Sequence, residues 1–228
     1  MPPAAVLLDI EGTTTPIRFV HDVLFPYARA RLPGLVQERA AEPEVAAALA
    51  EVRRMAPGAP ELQTLLGWMD GDVKAGPLKA LQGVAWRDGF RTGALRGELY
   101  PDVAPRLRAW SAGGIGLAVY SSGSAEAQRQ VFGHSVDGDL APLFTGFFDT
   151  ATGPKREPDS YRAILAALGL PCAAVLFLSD VEAELDAAAV AGLLTCQLVR
   201  AQDGTAASAR HRTAANFEEV ARVFALPG

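Results

Sequence analysis

The sequence predicts an α/β fold: a doubly wound parallel sheet interrupted early by an all-helical insert. Three observations predict it. The runs "AVLL" (5–8), "IGLAVY" (115–120) and "AVLFL" (174–178) are continuously apolar, as strands buried on both faces are. Stretches with helical spacing of apolar residues alternate with them, as crossover helices do. The interval between the first and second run is too long for one crossover, and its periodicity is helical.

The elements follow in order. A strand at 5–8 opens the core, which takes residues 1–16 and 100–228; the insert takes 17–99. Within it, residues 22 to 96 read as helices broken at Pro33, Pro43, Pro57-Gly58-Ala59-Pro60 and Gly76-Pro77. "EVAAALAEVRRM" and "PLKALQGVAWRDGFRTG" carry the helical spacing, and "ELYPDV" returns the chain to the core. Helices are predicted at 103–112, 124–133, 158–168, 181–191 and 216–224. Ser124 suits an N-cap, Pro158 a first turn, and Gly169 and Gly192 helix ends. A fourth strand is expected in "LLTCQLV" (193–199).

With 228 residues, 50% of them hydrophobic, the chain can bury a sizeable core beside a small insert. A net charge of −5 argues against a nucleic-acid partner and leaves an anionic small molecule open. No apolar stretch reaches the roughly 18 residues of a membrane span, and no signal-peptide pattern follows Met1. Cys172 and Cys196 lack metal-type spacing. The expectation is a cytoplasmic protein without membrane contact, its cysteines buried as small apolar residues and not paired.

In a doubly wound sheet, ligands bind beyond the carboxyl ends of the strands. Asp9 and Glu11 follow the first strand, Ser121, Ser122 and Gly123 the second, and Ser179, Asp180 and then Glu184 the third. Lys155 precedes a helix start. Each alone fits a turn, a cap or a solvated side chain; together they converge on one edge. Asp9 can attack phosphorus and form an aspartyl-phosphate. Glu11 can protonate the leaving oxygen and later deprotonate water. Carboxylates clustered at Asp9, Asp180 and Glu184 imply Mg²⁺. Ser121 and the amides around Ser122-Gly123 at a helix N-terminus suit phosphate oxygens, and Lys155 adds positive charge. Gly12 lets the chain turn, and Thr13 is expected to fix that turn by hydrogen bonding.

These residues, in this order, resemble the motifs of the haloacid dehalogenase superfamily of phosphohydrolases: D-x-D-x-[TV] at Asp9, Glu11 and Thr13, a serine at Ser121, a lysine at Lys155, and an acidic pair at Asp180 and Glu184. Glu11 departs from the usual Asp. That departure, with "DIEGTTTPIRFVHDVLFPYAR", "PLKALQGVAWRDGF", "YSSGSAEAQRQVFGHS", "FFDT", "GPKREPDSYRAI" and "FLSDVEAELDAAAVAGLLTCQLVR", resembles the enolase-phosphatases of methionine salvage over nearly the whole chain. The resemblance implies a Rossmann-like, haloacid dehalogenase-type core with a helical cap. It implies a phosphorylated diketone substrate, 2,3-diketo-5-methylthiopentyl-1-phosphate, enolised and then hydrolysed to the acireductone 1,2-dihydroxy-3-keto-5-methylthiopentene. It further implies one Mg²⁺ per subunit held by Asp9, Glu11 (through its backbone oxygen) and Asp180, substrate contacts from Ser121, Ser122 and Lys155, and a monomer.

The insert is expected to act as a lid and to meet the methylthio tail, with Trp86, Leu81, Phe25 and Tyr27 as candidates; Trp86 and Leu81 equally fit the insert's own core. Lys79 and Gln82 reach the dicarbonyl or lie on a solvated face. His21 is a candidate for the site entrance. His134 and His211 read as surface or cap residues. Arg200 follows a strand and reads as a structural salt bridge, with holding a loop near the site as the alternative. Two alternatives stay open: a generic sugar-phosphate phosphatase of the same superfamily, and a catalytically silent binding module. Glu11 and "LKALQG" speak against the first. The presence of Asp9, Lys155 and Asp180 speaks against the second.

Overall fold

The computed structural model describes residues 2–228. In chain order the elements are β1 (Ala5–Leu8), a π-helical stretch (Phe19–Leu24) running into α1 (Phe25–Glu38), α2 (Pro43–Met55), α3 (Glu61–Asp70) and α4 (Gly76–Arg91). Then come α5 (Val103–Ala112), β2 (Gly116–Tyr120), α6 (Ala125–Gly133), β3 (Gly146–Phe148), α7 (Pro158–Leu168), β4 (Val175–Ser179), α8 (Glu182–Val190), β5 (Leu194–Leu198), β6 (Arg212–Ala214) and α9 (Phe217–Phe224). The chain divides into two compact units. One is built from the residues up to Ile17 together with Arg96–Gly228, the other from Arg18–Leu95.

The first unit holds a six-stranded sheet in the order β3-β2-β1-β4-β5-β6, with every pairing parallel. β1 lies at its centre, which is why its four residues are all apolar and buried. Successive side chains go to opposite faces. Val6 and Leu8 join a cluster with Val103, Leu107 and Trp110 of α5 and Phe217 of α9, where Trp110 stacks on Phe217 at 5.1 Å. Ala5 and Leu7 join Tyr161 and Ile164 of α7 and Leu185 of α8. Helices cover both faces, as the doubly wound expectation requires. Leu8 pairs with Val119 of β2 and Leu178 of β4, and Asp9 N–H still donates to the Leu178 carbonyl at 2.9 Å. Asp9 is therefore the first residue past the sheet at its carboxyl edge.

The second unit packs α1, α2, α3 and α4 around a cluster of its own that includes Leu32, Leu49, Leu65 and Leu81. Pro33 does not break a helix, contrary to expectation: it lies inside α1. Ala28, Leu32 and Leu35 form one buried face on both sides of it, and burying that face outweighs the single hydrogen bond a proline cannot donate. The breaks at Pro43, Pro57–Pro60 and Gly76-Pro77 coincide with helix ends.

Two strands escape the sequence reading. β3 and β6 are three-residue strands at the sheet's edges, and neither is buried throughout, so neither carries a continuous apolar run. Ser124 caps α6, its side chain accepting from Ala127 N–H, and Gly169 ends α7 with φ 66°. Both cysteines are free. Cys196 is buried, which pushes its thiol up to about 12, but Cys172 is only partly buried, in the short 3₁₀ turn Cys172–Ala174 ahead of β4. Among the described residues no helix is long and apolar enough to cross a membrane.

α9 ends on Ala225, which takes a left-handed conformation (φ 53°) while its N–H donates to the Ala221 carbonyl. An L-residue with a Cβ is strained there, and glycine is not. Ala225→Gly is expected to stabilise the protein by about 0.5–1 kcal/mol in urea denaturation; an equal or lower midpoint would show the cap to be unstrained.

Candidate active site

The loop after β1 is bound to itself. The N–H groups of Thr13, Thr14 and Thr15 converge on the Ile10 carbonyl at 3.2, 2.9 and 2.9 Å, and Gly12 N–H reaches the Thr15 carbonyl at 2.9 Å. Gly12 has φ 69°, and a Cβ there would lie 2.5 Å from Asp180 Oδ2, so both conformation and space demand glycine. Thr14, not Thr13, fixes the turn: its hydroxyl donates to the carbonyls of Asp9 (3.1 Å) and Ile10 (3.2 Å). The i to i−4 spacing that a threonine hydroxyl bridges belongs to Thr14 and Ile10. Thr13 Oγ1 is buried with no hydrogen-bond partner among the described residues.

Asp9 is buried at the centre of a four-residue network. Lys155 Nζ lies 2.6 Å from Asp9 Oδ1 and 2.6 Å from Glu184 Oε2. Asp9 Oδ1 also accepts the Ile10 N–H at 2.7 Å. Ser179 Oγ lies 3.3 Å from Asp9 Oδ2 and 3.0 Å from Glu184 Oε2 while accepting the Val181 N–H. Its single proton serves one carboxylate at a time, so Asp9 Oδ2 is the less firmly held oxygen. Burial alone would lower the Lys155 pKa, but the two carboxylates outweigh it and hold the ammonium above its ordinary range. Burial and the Asp9 charge push Glu184 above the usual carboxylate range, against the pull of Lys155.

The lysine's own loop is anchored by hydroxyls. Tyr161 OH donates to the Lys155 carbonyl at 2.7 Å, Tyr120 OH to Gly153 at 2.8 Å, and Ser160 Oγ to Pro154 at 2.8 Å. The ammonium also lies 5.9 Å from the centre of the Tyr120 ring.

Asp180 follows β4 and faces Gly12. Burial, then the charges of Asp9 and Glu11, push its carboxyl up to about 7. Its Oδ1 is buried with no hydrogen-bond partner among the described residues. An orphaned carboxylate oxygen that titrates against a neighbouring carboxylate fits a hard divalent cation. Among the described residues no three His, Cys, Asp or Glu side chains form a metal-ligating group. A carboxylate oxygen of this kind, with backbone oxygen and water, suits Mg²⁺ better than Zn²⁺.

Ser121 is buried at the end of β2 and Ser122 is exposed beside it. The first turn of α6 is already occupied. Asp149 accepts from Ala125 N–H at 2.9 Å, and Ser124 takes that of Ala127. The amides that the sequence reading names, around Ser122-Gly123, lie in the loop ahead of the helix. Gln128 sets this loop: buried in α6, it donates to the carbonyls of Gly123 (2.8 Å) and Phe148 (2.7 Å).

Within the second unit, Trp86 is half-buried and donates Nε1–H to the Leu24 carbonyl at 2.8 Å. Phe25 lies between Trp86 (6.2 Å) and His21 (5.7 Å). Lys79 is exposed and Gln82 buried. Leu81 is fully buried in that unit's own core, where its helical spacing puts it, and so drops out as a tail contact. His134 is exposed, but His211 is not a surface residue. Its ring lies 2.9 Å from both Thr195 Oγ1 and Asp186 Oδ1 with 6% of the side chain exposed. Arg200 does form an ion pair, with Asp102. Sequence reasoning missed Thr14, Gln128 and Tyr161. It placed Ser179 at the strand's end but gave it no role.

Comparison with known proteins sharpens this geometry. The profile described as haloacid dehalogenase-like hydrolase matches residues 3–192. The chain is 61% identical to "Enolase-phosphatase E1" of Gluconacetobacter diazotrophicus, covering 98% of this chain and 95% of that protein. It is 52% identical to the protein of the same name from Pectobacterium atrosepticum, covering 95% and 96%. Among solved structures it is similar to the UTR4 protein of Saccharomyces cerevisiae, with a TM-score of 0.81 and 34% identity over 95% of this chain and 99% of that one. CbbY from Rhodobacter sphaeroides in complex with phosphate, at TM-score 0.64 and 18% identity over 96% of each, shares the fold. The chain belongs to the haloacid dehalogenase-like hydrolases and, within them, to the enolase-phosphatase E1 family.

Proposed function

We propose that this enzyme uses Mg²⁺ to convert 2,3-diketo-5-methylthiopentyl-1-phosphate to 1,2-dihydroxy-3-keto-5-methylthiopentene and phosphate, in methionine salvage. The family implies a divalent metal and a small phosphorylated substrate; Mg²⁺ and this diketone are the finer assignment. The observation that carries the reading is the Lys155 ammonium clamped at 2.6 Å between Asp9 and Glu184, beside an Asp180 oxygen that lacks a partner. The same reading takes the enzyme as a cytoplasmic monomer.

In this mechanism Glu11 removes the carbon-bound proton next to the carbonyl and passes it to the carbonyl oxygen, giving the enol-phosphate. Asp9 then attacks phosphorus, an Asp9–phosphoryl bond forms, and the P–O bond of the ester breaks, with Glu11, reprotonated from solvent, protonating the leaving oxygen. Glu11 next deprotonates a water that attacks the phosphoryl group, releasing phosphate and freeing Asp9. Lys155, 2.6 Å from Asp9, offsets phosphoryl charge, and Ser121 and Ser122 bind phosphate oxygens. Asp9, Asp180 and the Glu11 backbone oxygen would hold the metal, which when bound would supply Lewis acidity toward the carbonyl and the phosphoryl group.

Asp9→Asn is expected to lower phosphate release by more than about 10³-fold, and Glu11→Gln to slow enolisation by about 10²–10⁴-fold. Ultraviolet monitoring of the diketone with Mg²⁺ reads both: an enol-phosphate absorbance rises, then shifts as phosphate appears. Unchanged release by Asp9→Asn overturns the nucleophile, unchanged enolisation by Glu11→Gln the base. Rapid hydrolysis of sugar phosphates with none of the diketone overturns the substrate.

Asp180 gives a pH test. Its folded pKa is raised from 3.8 to about 7. Between those values the metal-free folded protein keeps a proton that the unfolded chain has released. Its stability therefore falls as pH rises through that window, and the full cost is present above it. Metal-free Asp180→Asn is expected to melt above the wild type at pH 8. Millimolar MgCl₂ should raise the wild-type melting temperature at pH 8 and leave the variant unmoved; equal stabilisation of both would remove Asp180 from the metal site.

A further inference from the structure

The buried guanidinium of Arg200 has no part in the chemistry above, yet it reaches the loop that carries it. Arg200 follows β5 and is 5% exposed. Its Nη1 lies 2.9 and 3.0 Å from the two oxygens of Asp102 and 3.3 Å from the Ala215 carbonyl. Its Nη2 donates to the Thr13 carbonyl at 2.9 Å, and Nε to the same oxygen at 3.3 Å. The plane is packed by the Tyr100 ring, 4.0 Å from the guanidinium carbon. Asp102 in turn accepts the Phe217 N–H at 2.8 Å.

The same segment grips the loop a second time. Asp203, three residues on, accepts the Ile17 N–H at 3.5 Å and the Tyr100 hydroxyl proton, while Tyr100 N–H donates to the Thr14 carbonyl at 3.0 Å. The run Thr13–Ile17 is thus tied from outside at three backbone atoms. Gly12, one residue before, faces Asp180 so closely that a Cβ there would lie 2.5 Å from that carboxylate. Asp9 is held separately, by the Ile10 N–H, Lys155 and Ser179.

We infer that Arg200 is a positioning residue for the reaction, fixing the Thr13 carbonyl so that Glu11 is correctly aimed, without itself touching substrate. The inference rests on the role proposed for Glu11. It separates from a merely structural role because phosphate binding through Ser121, Ser122 and Lys155 does not depend on the Thr13 carbonyl, while proton transfer by Glu11 does. A lysine keeps the charge but lacks the planar fork that serves carboxylate and carbonyl together.

The test compares Arg200→Lys with wild-type enzyme and Mg²⁺, and takes Arg200→Gln, which keeps a neutral donor, as a second variant should the first fail to fold. A misplacement of about 1 Å costs on the order of 10²-fold, so kcat is expected to fall about 10- to 100-fold, with KM and the competitive inhibition constant of inorganic phosphate within about 2-fold. Hydrogen exchange should quicken in residues 10–17 and not in 121–128. Unchanged kcat in a folded variant overturns the inference, and so does a parallel loss of kcat and phosphate affinity. If the wild type hydrolyses another phosphate ester but not the diketone, the proposed substrate fails, and the same comparison on that ester still decides Arg200.

Discussion

The carboxyl edge of the sheet depends on one buried cation. Asp9 comes from the end of β1 and Glu184 from α8, and both are buried. Without the Lys155 ammonium between them, two desolvated carboxylates would face each other. Buried ion pairs return little stability, because desolvation cancels most of the attraction; an apolar group of similar volume packs at least as well. The clamp is therefore a poor device for folding and a good one for holding a cation against the Asp9 carboxylate. The fold spends further buried polar groups on it: Tyr161, Tyr120 and Ser160 all hold the carbonyls of the lysine's loop. Tyr161 belongs at once to the core beneath the sheet and to the anchor of the site, so the site inherits the rigidity of that core.

The sheet's order explains why the reactive groups meet. β1 is flanked by β2 and β4, and in chain order these strands are far apart. Only parallel pairing in register puts Asp9, Ser121 and Asp180 within a residue or two of one edge. This is the switch point of a doubly wound sheet, where loops from neighbouring strands diverge and leave a crevice.

What was legible in the sequence follows from burial. β1, β2 and β4 are covered on both faces, so their apolar runs are uninterrupted and their ends can be read to within a residue. Asp9, Ser121 and Asp180 became visible because each stands next to such an end. β3 and β6 lie at the edges with mixed burial, and no periodicity marks three residues. Pro33 misled because its local cost is real, and only the packed face around it shows what outweighs it. The position of Ser179 at a strand end was legible, but its role was not. Its contact with Asp9 crosses 170 positions and depends on which way a strand-end side chain points. Thr13 and Thr14 are chemically alike, and the turn's geometry, not the residue type, decides which hydroxyl closes it.

The two buried cations of the core divide their work according to their chemistry. Lys155 is a compact charge on a flexible stem, suited to sit between two carboxylate oxygens and to meet a third anion when one arrives. Arg200 has a planar fork, and the structure uses the whole of it: one edge on Asp102, one on the Thr13 carbonyl, one face on Tyr100. A carboxylate alone would be satisfied by either residue. A carbonyl that must be held at a fixed distance from a carboxylate is met only by the fork. Lys155 thus sets the charge of the site and Arg200 the shape of the loop beside it. In the proposed mechanism Glu11 depends on both: on the ammonium set against Asp9, the proposed nucleophile, and on the turn that Arg200 is proposed to hold.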